Sequence, residues 1–261
     1  GIRTSCLYAT LANGAMLRYL DYMDRGFLTR EARINMGHHG ESIPSILALG
    51  ERQHSTGQEV ITAVVVAFEL LSKVYASLGG THGVLDRRGW MHETMGTPCV
   101  MALVAGKLLL LSEEQMANAL AIAGCFNLEP GILHSPHAVK VLRFPYGAYG
   151  GILGALLARK GLAGPPDVFE GRHGLAEVVA GGEMDLERLR QPREDWTILY
   201  TWIKNLAADG DMQGLLEATL TLVKEHDIGA ENVAAVRIGT NSYVSGRIAD
   251  PARRYPNNRY T

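Results

Sequence analysis

The sequence is poor in the features that mark secreted, nucleic-acid-binding or membrane proteins. Its three cysteines, Cys6, Cys99 and Cys125, are odd in number and widely spaced, which fits neither a disulfide framework nor a zinc site. We interpret them as buried thiols in a reducing compartment, and we expect a cytoplasmic protein. The formal charge of -2 offers no basic surface for nucleic acid. The longest apolar runs are interrupted by Glu69 and Lys107, so no membrane span is expected.

Short cofactor and catalytic motifs are also missing. The chain contains no GxGxxG or Walker loop, which leaves nucleotide cofactors unsupported, and no HExxH or GxSxG motif. The nine histidines do not fall at paired ligand spacing. His38 and His39 are adjacent, and on most backbones such rings point apart and make a poor chelate. We therefore expect neither a cofactor nor a metal site.

The sequence does contain enough apolar residues for a well-filled core. Hydrophobic residues make up 47% of the 261 positions, which suits one large domain or one and a half. The chain opens at Gly1 inside a helix approach and stops at "NNRYT" without a closing element. These two ends predict that the sequence is part of a longer protein.

Residues 1 to about 165 show the periodicity of one helix after another. Apolar residues recur at helical spacing from Val60 to Tyr75, and Thr56 with Glu59 forms a capping box before them. A second capping box opens "SEEQMANALAIAGCF", and "GILGALLARKGLAGP" ends in glycine and proline, which stop helices. The sequence thus predicts a mainly α protein with a large helical domain over residues 1–192.

The pattern changes toward the C-terminus. "GDMQGLLEATLTLVKEHDIG" is an amphipathic helix, for which Asp211 is the expected N-cap. In the following "ENVAAVRIGT", Ala234, Val236 and Ile238 alternate with polar positions as in a half-buried strand. A helix and then a strand predict the start of an α+β domain over residues 193–261. Because a lone strand is unstable, its partner strands are expected outside this sequence.

Titratable residues crowd into the glycine-interrupted segment between the first two helical runs. Asp21 and Arg25 stand four positions apart, and a solvated ion pair on a helix end would explain both structurally. Glycines flank His38 and His39 in "GHHGES", which lets the backbone bend sharply and the imidazoles face a cleft. Histidine is the side chain best matched to proton transfer near neutral pH, which favours a functional role.

Three further positions carry both a structural and a functional interpretation. His92, in "RRGWMHETMG", either fills space beside Trp90 or faces the same cleft. Lys140, in "HSPHAVKVLRFPYGAYGG", either extends to solvent or binds a carboxylate. Lys204 precedes a helix start, where anions are favoured. Individually each signal is weak.

In series, these segments resemble the MmgE/PrpD family, which includes 2-methylcitrate dehydratase, cis-aconitate decarboxylase and iminodisuccinate epimerase. "ANGAMLRYLDYMD" resembles the family's "NG…LDYDD" segment, and "GHHGESIPSILALGE" is similar to "HPSDxIPAxLALAE". "RRGWMHETMG" resembles "RGWDHxTxG", and "ARKGLAGPPDVFEG" resembles "AxxGxTGPxxVFEG". "DPARRYPNNRYT" resembles the approach to "TRETADHSLPY". The ordered series covers almost the whole chain.

The resemblance implies an active site at the polar break between the first helices, covered by a second, α+β domain. Carried over residue by residue, the catalytic positions are Asp21, His38, His92, Lys140 and Lys204, and the candidate substrate-binding positions are Arg25, His39, Arg143 and Gln213. Three departures stand out. "HHGES" replaces "HPSD", Arg25 stands where threonine is frequent, and Asp211 stands where methylcitrate dehydratases usually have histidine.

The resemblance also implies chemistry on a small polycarboxylate without a redox cofactor. We expect His38, oriented by Asp21, to take a proton from a carbon next to a carboxylate, with Lys140 and Lys204 holding carboxylates. His92 would protonate the departing hydroxyl. The expected function is a hydro-lyase acting on 2-methylcitrate or a relative. A decarboxylase or epimerase on a similar acid, such as cis-aconitate or iminodisuccinate, and an inactive helical interaction module are the alternatives.

A homodimer is the expected assembly. Val64, Val65, Val66 and Phe68 give one helix apolar residues on several faces, and one helical domain does not readily cover them all. Dimers are also usual in the family that the chain resembles.

Overall fold

The computed structural model describes residues 2–26, 36–93, 95–126, 129–134, 138–192, 195–242 and 244–245. The named α-helices and β-strands within these ranges are α1 (Cys6–Tyr19), β1 (Asp24–Gly26), α2 (Ile43–Gln53), α3 (Gly57–Ser77), α4 (Val84–Arg87), α5 (Gly96–Leu108), α6 (Glu113–Ala123), α7 (Arg143–Arg159), α8 (Leu175–Val178), α9 (Leu186–Arg190), β2 (Thr201–Ile203) and α10 (Gln213–His226). The mainly α prediction is confirmed. The "DPARRYPNNRYT" segment lies outside the described residues.

Local sequence starts the long helices where it was expected to. The Thr56 side chain accepts from the Glu59 N–H, and the Glu59 carboxylate accepts from the Thr56 N–H, which completes the box at the start of α3. Ser112 and Gln115 make the same reciprocal pair before α6. Both capping boxes are confirmed, and each satisfies backbone donors that a helix start leaves without a partner.

The core of the helical body is formed by α5, α6 and α7, which pack against one another, with α1, α2 and α3 around them. Small residues allow the helix backbones to approach. A Cβ at Gly151 of α7 would lie 2.4 Å from the Pro98 carbonyl oxygen of α5, and one at Gly154 would lie 3.0 Å from the Ala119 carbonyl oxygen of α6. Glycine is therefore required where α7 crosses its neighbours.

A two-stranded antiparallel sheet joins the N-terminal third to the C-terminal segment. Asp24 of β1 pairs with Ile203 of β2, and Gly26 pairs with Thr201. The sequence did not predict this sheet, because three residues of "DRG" carry no strand periodicity. The sheet brings the chain that follows β2 against the break between α1 and α2.

The expected strand around Val233 to Gly239 is not formed. This stretch is outside any helix or strand, and all of its side chains are exposed. No described segment pairs with it, and a strand without a ladder partner gains no backbone hydrogen bonds. The prediction of Asp211 as helix cap is also wrong: Met212 is the N-cap of α10, and the Asp209 carboxylate accepts from the Asp211 N–H. The domain boundary at residue 193 stays a prediction.

Two helical stretches are long and apolar enough to cross a membrane by length and composition, Gly57–Ser77 and Ala138–Arg159. At least half of the apolar window in each is buried inside the protein, as is usual for helices of a packed core. Glu69 does not interrupt the first of them. Its carboxylate is buried and accepts hydrogen bonds from the backbone N–H and hydroxyl of Thr197.

The remaining side-chain expectations have mixed outcomes. Cys6 and Cys99 are buried thiols, whereas Cys125 is exposed, because it follows the last turn of α6 rather than lying within its packed face. Phe68 is buried in the chain's own core, while the three valines 64–66 of α3 are half-buried. The homodimer stays a prediction.

Candidate functional site

A cavity of about 290 Å³ opens at the polar break between α1 and α2, a size that suits one small ligand. The five predicted catalytic residues all line it: Asp21, His38, His92, Lys140 and Lys204. Arg25 lines it as well. These residues come from segments up to 183 positions apart, as the Asp21–Lys204 contact shows. The structure brings these predicted residues together around one cavity, and their chemical roles stay predictions.

Gly37 lets the backbone fold tightly around this cavity. Its φ of +83° lies in the left-handed region that favours glycine, and a Cβ here would stand 3.3 Å from the ring of His92. The sharp bend predicted before His38 is therefore present. It places the turn that carries His38 directly against the second histidine of the site.

His38 is held by a backbone group rather than by Asp21. Its Nδ1 lies 2.5 Å from the Asp24 carbonyl oxygen, and because a carbonyl only accepts, Nδ1 carries the proton of the neutral ring. Burial, followed by the positive charges of Arg18 and Lys204, lowers the pKa of His38 well below its usual value. Nε2 is then an unprotonated acceptor at neutral pH, which is the form that a general base needs.

Asp21 instead holds two cations. Its carboxylate lies 2.6 Å from Lys204 Nζ and 3.9 Å from Arg18 Nε. Arg18 is buried and also pairs with the buried carboxylate of Glu41. The pKa of Lys204 is lowered by burial, against which the Asp21 charge acts to raise it. The Asp21 carboxylate therefore pairs with Arg18, three positions before it, and with the distant Lys204, while Arg25 pairs with Asp211.

His92 and Lys140 also line the cavity, and they come from the segments that precede α5 and α7. Burial lowers the pKa of His92 to about 4, although the Glu93 carboxylate 3.2 Å from its Nε2 acts to raise it. His92 is therefore neutral at pH 7. Burial, and then the charge of Arg18, lowers the pKa of Lys140 to about 8. Within the described residues no hydrogen bond or ion pair engages Lys140, which leaves its ammonium available to a ligand.

Three predicted substrate-binding residues lie away from the cavity wall. His39 is fully buried in the core, where its Nε2 lies 2.8 Å from Ser72 Oγ and its ring packs edge-on against Phe68. Burial lowers its pKa to about 3, so it remains neutral. His38 and His39 separate because adjacent side chains on this turn point to opposite sides, one to the cavity and one to α3.

Arg143 and Gln213 have supporting contacts instead. Arg143 is buried between two carboxylates, paired with Glu93 and 3.5 Å from Glu129. Burial acts to raise the pKa of Glu93, but the Arg143 charge outweighs it and the pKa falls to about 2. Burial and the Glu93 charge raise the pKa of Glu129 to about 7. The amide of Gln213 exchanges hydrogen bonds with the backbone of Leu206 and so fixes the loop after Lys204.

Arg25 is the predicted binding residue that does reach the cavity. Its Nη1 lies 2.8 Å from Asp211 Oδ1, and both side chains are on the cavity wall. Sequence reasoning noticed both positions as departures from the family pattern but did not connect them. A separation of 186 positions gives no local signal of contact.

Several charged residues of the site were missed. Arg18, Asp24, Glu41 and Glu93 are all buried beside the cavity residues. Glu41 lies in "HGES" and Glu93 lies in "HET", so closeness in sequence to a histidine of interest was the signal that could have found them. Among the described residues, no group of three His, Cys, Asp or Glu side chains has the arrangement of a metal site.

The sequence of this chain is similar to known proteins. A cis-aconitate decarboxylase-like protein, oryM, of Aspergillus oryzae is 31% identical over 142 residues, which are 51% of this chain and 28% of that protein. The chain thus spans less than a third of the curated relative that it matches. The family model for the MmgE/PrpD N-terminal domain matches residues 1–187, which include His38, His92 and Lys140. The chain therefore belongs to the MmgE/PrpD family.

Proposed function

We propose that the protein is a cofactor-independent lyase that acts on a small polycarboxylate by taking a proton from a carbon next to a carboxylate. Membership of a family with dehydratases and decarboxylase-like members supports an enzyme at the coarse level. The finer proposal is dehydration of 2-methylcitrate or a related hydroxy acid in the cytoplasm. One observation carries it: His38, whose Nδ1 is bonded to a backbone carbonyl so that Nε2 is the acceptor, and Lys140, which has no ion pair among the described residues, line the same small cavity.

The proposed reaction begins at His38. Nε2 accepts the proton, and the electron pair of the broken C–H bond is delocalised toward the neighbouring carboxylate. Lys204, held in place by Asp21, stabilises the charge that develops there. Because the ammonium is fixed before the reaction, little reorganisation is needed when the charge forms.

The second step releases the hydroxyl group. The C–O bond breaks with its electron pair on oxygen, a C=C bond forms, and a proton must reach the departing oxygen so that water leaves. His92, neutral at pH 7, is a poor donor, since its pKa is about 4. Lys140, with a pKa of about 8, suits this role better, because a donor should titrate near the working pH. We therefore assign the proton donor as Lys140 and a binding role to His92.

Decarboxylation is the second candidate, favoured by the name of the Aspergillus relative. Here a C–C bond breaks, carbon dioxide leaves, and the carbanion takes a proton from a protonated side chain. The same cavity groups serve both reactions, because each passes through negative charge next to a carboxylate. Proton NMR of the protein with 2-methylcitrate, cis-aconitate and iminodisuccinate in turn would separate dehydration, decarboxylation and epimerisation by their products.

The decisive variant is His38→Asn, whose amide retains a donor for the Asp24 carbonyl but has no basic nitrogen. We expect turnover to fall by about 10²–10⁴-fold with little change in the melting temperature. The matched control is His82→Asn, because His82 lines the same cavity but is half exposed, at 53%. It should retain near-normal turnover.

Turnover by His38→Asn within a factor of about three of wild type would contradict the proposal. If none of the three acids is converted or bound, the inactive interaction module becomes the better interpretation.

A further inference from the structure

The cations of the cavity are not equivalent, because most of them already hold an internal carboxylate. Lys204 and Arg18 share Asp21, and Arg18 also pairs with Glu41. Arg25 pairs with Asp211. Lys140 alone of these four has no ion pair in the described part of the chain. A substrate with several carboxylates can therefore bind one of them at Lys140, but binding a second at another cation requires that it replace the internal carboxylate there.

Arg25 is the cation whose internal partner is easiest to replace. The side chains of Arg25 and Asp211 are 13% and 21% exposed, whereas that of Lys204 is 1% exposed. An ion pair closer to water has less desolvation to overcome when one anion is exchanged for another. A guanidinium also matches a ligand carboxylate with two parallel N–H groups, which an ammonium does not.

The backbone of the turn at Asp211 is held by hydrogen bonds to Asp209. The Asp211 N–H donates to Asp209 Oδ1 at 2.9 Å, and the Met212 N–H donates to the Asp209 carbonyl. Gly210 makes room for the arginine, since a Cβ there would lie 2.3 Å from Arg25 Nη1. These two hydrogen bonds of the turn do not involve the Arg25–Asp211 contact, and Gly210 leaves space for the guanidinium beside the turn.

We propose that Arg25 is a carboxylate subsite of the cavity and that Asp211 is the internal counter-ion which a substrate carboxylate replaces there. This inference rests on the proposed function and deepens it. The substrate it describes carries three carboxylates, one for the Lys204 region, one for Arg25 and one beside the hydroxyl group that Lys140 protonates. The Arg25–Asp211 pair then determines specificity, because it favours ligands whose third carboxylate outcompetes Asp211.

The test uses two unreactive ligands that differ by one carboxylate, propane-1,2,3-tricarboxylate and glutarate, with affinities measured by calorimetry at pH 7 and low salt. Asp211→Asn should strengthen tricarboxylate binding by about tenfold or more relative to glutarate, because Arg25 is released from a charged partner. Arg25→Gln should reduce the same ratio by about tenfold. In the double variant, Asp211→Asn should no longer strengthen binding, since the group it releases is missing.

The control is Asp86→Asn, which removes the same charge from the same cavity wall without touching Arg25. It should change the affinities for both ligands by similar factors. Equal effects of Asp211→Asn and Asp86→Asn, or an unchanged ratio in Arg25→Gln, would overturn the subsite while leaving the proposed function in place. Glutarate binding by each variant reports that its cavity is folded. Failure of wild type and all variants to bind either acid would overturn the proposed function itself, and the subsite with it.

Discussion

The helical body and the C-terminal segment of this protein are held together by different physical interactions. In the body, residues 2–192 where described, α5 and α7 each bury most of their side chains. In the segment from residue 195 onward, α10 buries only Gln213, and Leu220 and Leu222 are more than half exposed. The body is stabilised by apolar burial, whereas the segment attaches through the β1–β2 ladder and through polar contacts.

The cavity lies at the boundary between these two regions, and this position has a chemical consequence. The body supplies buried side chains with shifted pKa values, such as His38 and Lys140, because its packed helices exclude water. The segment supplies two charged groups to the cavity wall, Lys204, which Asp21 holds in place, and Asp211, which pairs with Arg25. A site built this way combines buried proton-transfer groups from the body with charged groups from the segment.

The strongest test of this comparison concerns the buried charges of the body. Arg143→Met leaves Glu93 and Glu129 as two buried carboxylates without their shared cation, and we expect a loss of about 3–5 kcal/mol in the free energy of unfolding. The same substitution at Arg237, exposed in the C-terminal segment, should cost less than about 0.5 kcal/mol. Urea denaturation measures both. Similar losses in the two variants would mean that the regions do not differ as described.

A second test uses the same apolar truncation in each region. Leu71→Ala in α3 removes a fully buried side chain, so a loss of about 2–5 kcal/mol is expected from transfer and cavity terms. Leu220→Ala in α10 removes a side chain that is 55% exposed, and less than about 0.5 kcal/mol should be lost. Thermal and urea unfolding would check the pair. A large loss at Leu220 would instead point to a contact that covers α10 in solution.

The smallest expected effect concerns a buried carboxyl group in the sheet that joins the two regions. Asp24 lies in β1, and burial raises the pKa of its carboxyl from 3.8 to about 7. The folded state therefore keeps a proton that the unfolded state releases, so this contribution to stability is full below about pH 4 and is lost as the pH rises through 7. Asp24→Asn retains an acceptor for the Gly40 N–H but does not titrate.

Relative to wild type, Asp24→Asn should thus gain about 2–3 kcal/mol of stability between pH 5 and pH 8. The measurement is the difference in the free energy of unfolding between variant and wild type at each pH. Taking the difference cancels the titration of groups that do not act on Asp24, such as Glu129, whereas the Glu41 charge contributes to the Asp24 pKa and is part of the measured effect. A difference that does not depend on pH would show that the Asp24 carboxyl is ionised in the folded protein.

Local sequence signals correctly predicted the starts of α3 and α6, although the single-residue cap predicted at Asp211 was wrong. The capping boxes at Thr56 and Ser112 and the helical periodicity after them act within a few residues, and the structure has them as predicted. The strand predicted around Val236 failed, because periodicity describes a strand's faces but not the partner that stabilises it. The β1–β2 ladder was missed for the complementary reason: its pairing partner is distant, and its own three residues carry no pattern.

By itself, then, the sequence determined the helical class, the starts of α3 and α6 and, through an ordered series of motifs, the family and six of the residues that meet at one cavity. Tertiary structure alone decided which partner each charged side chain takes. Asp21 binds Lys204 rather than Arg25, Arg25 binds Asp211, and His39 turns into the core while His38 faces the cavity. The reason is physical: helix propensity and capping act over a few residues, whereas ion pairs and burial depend on which distant segments the packed core brings within a few ångströms.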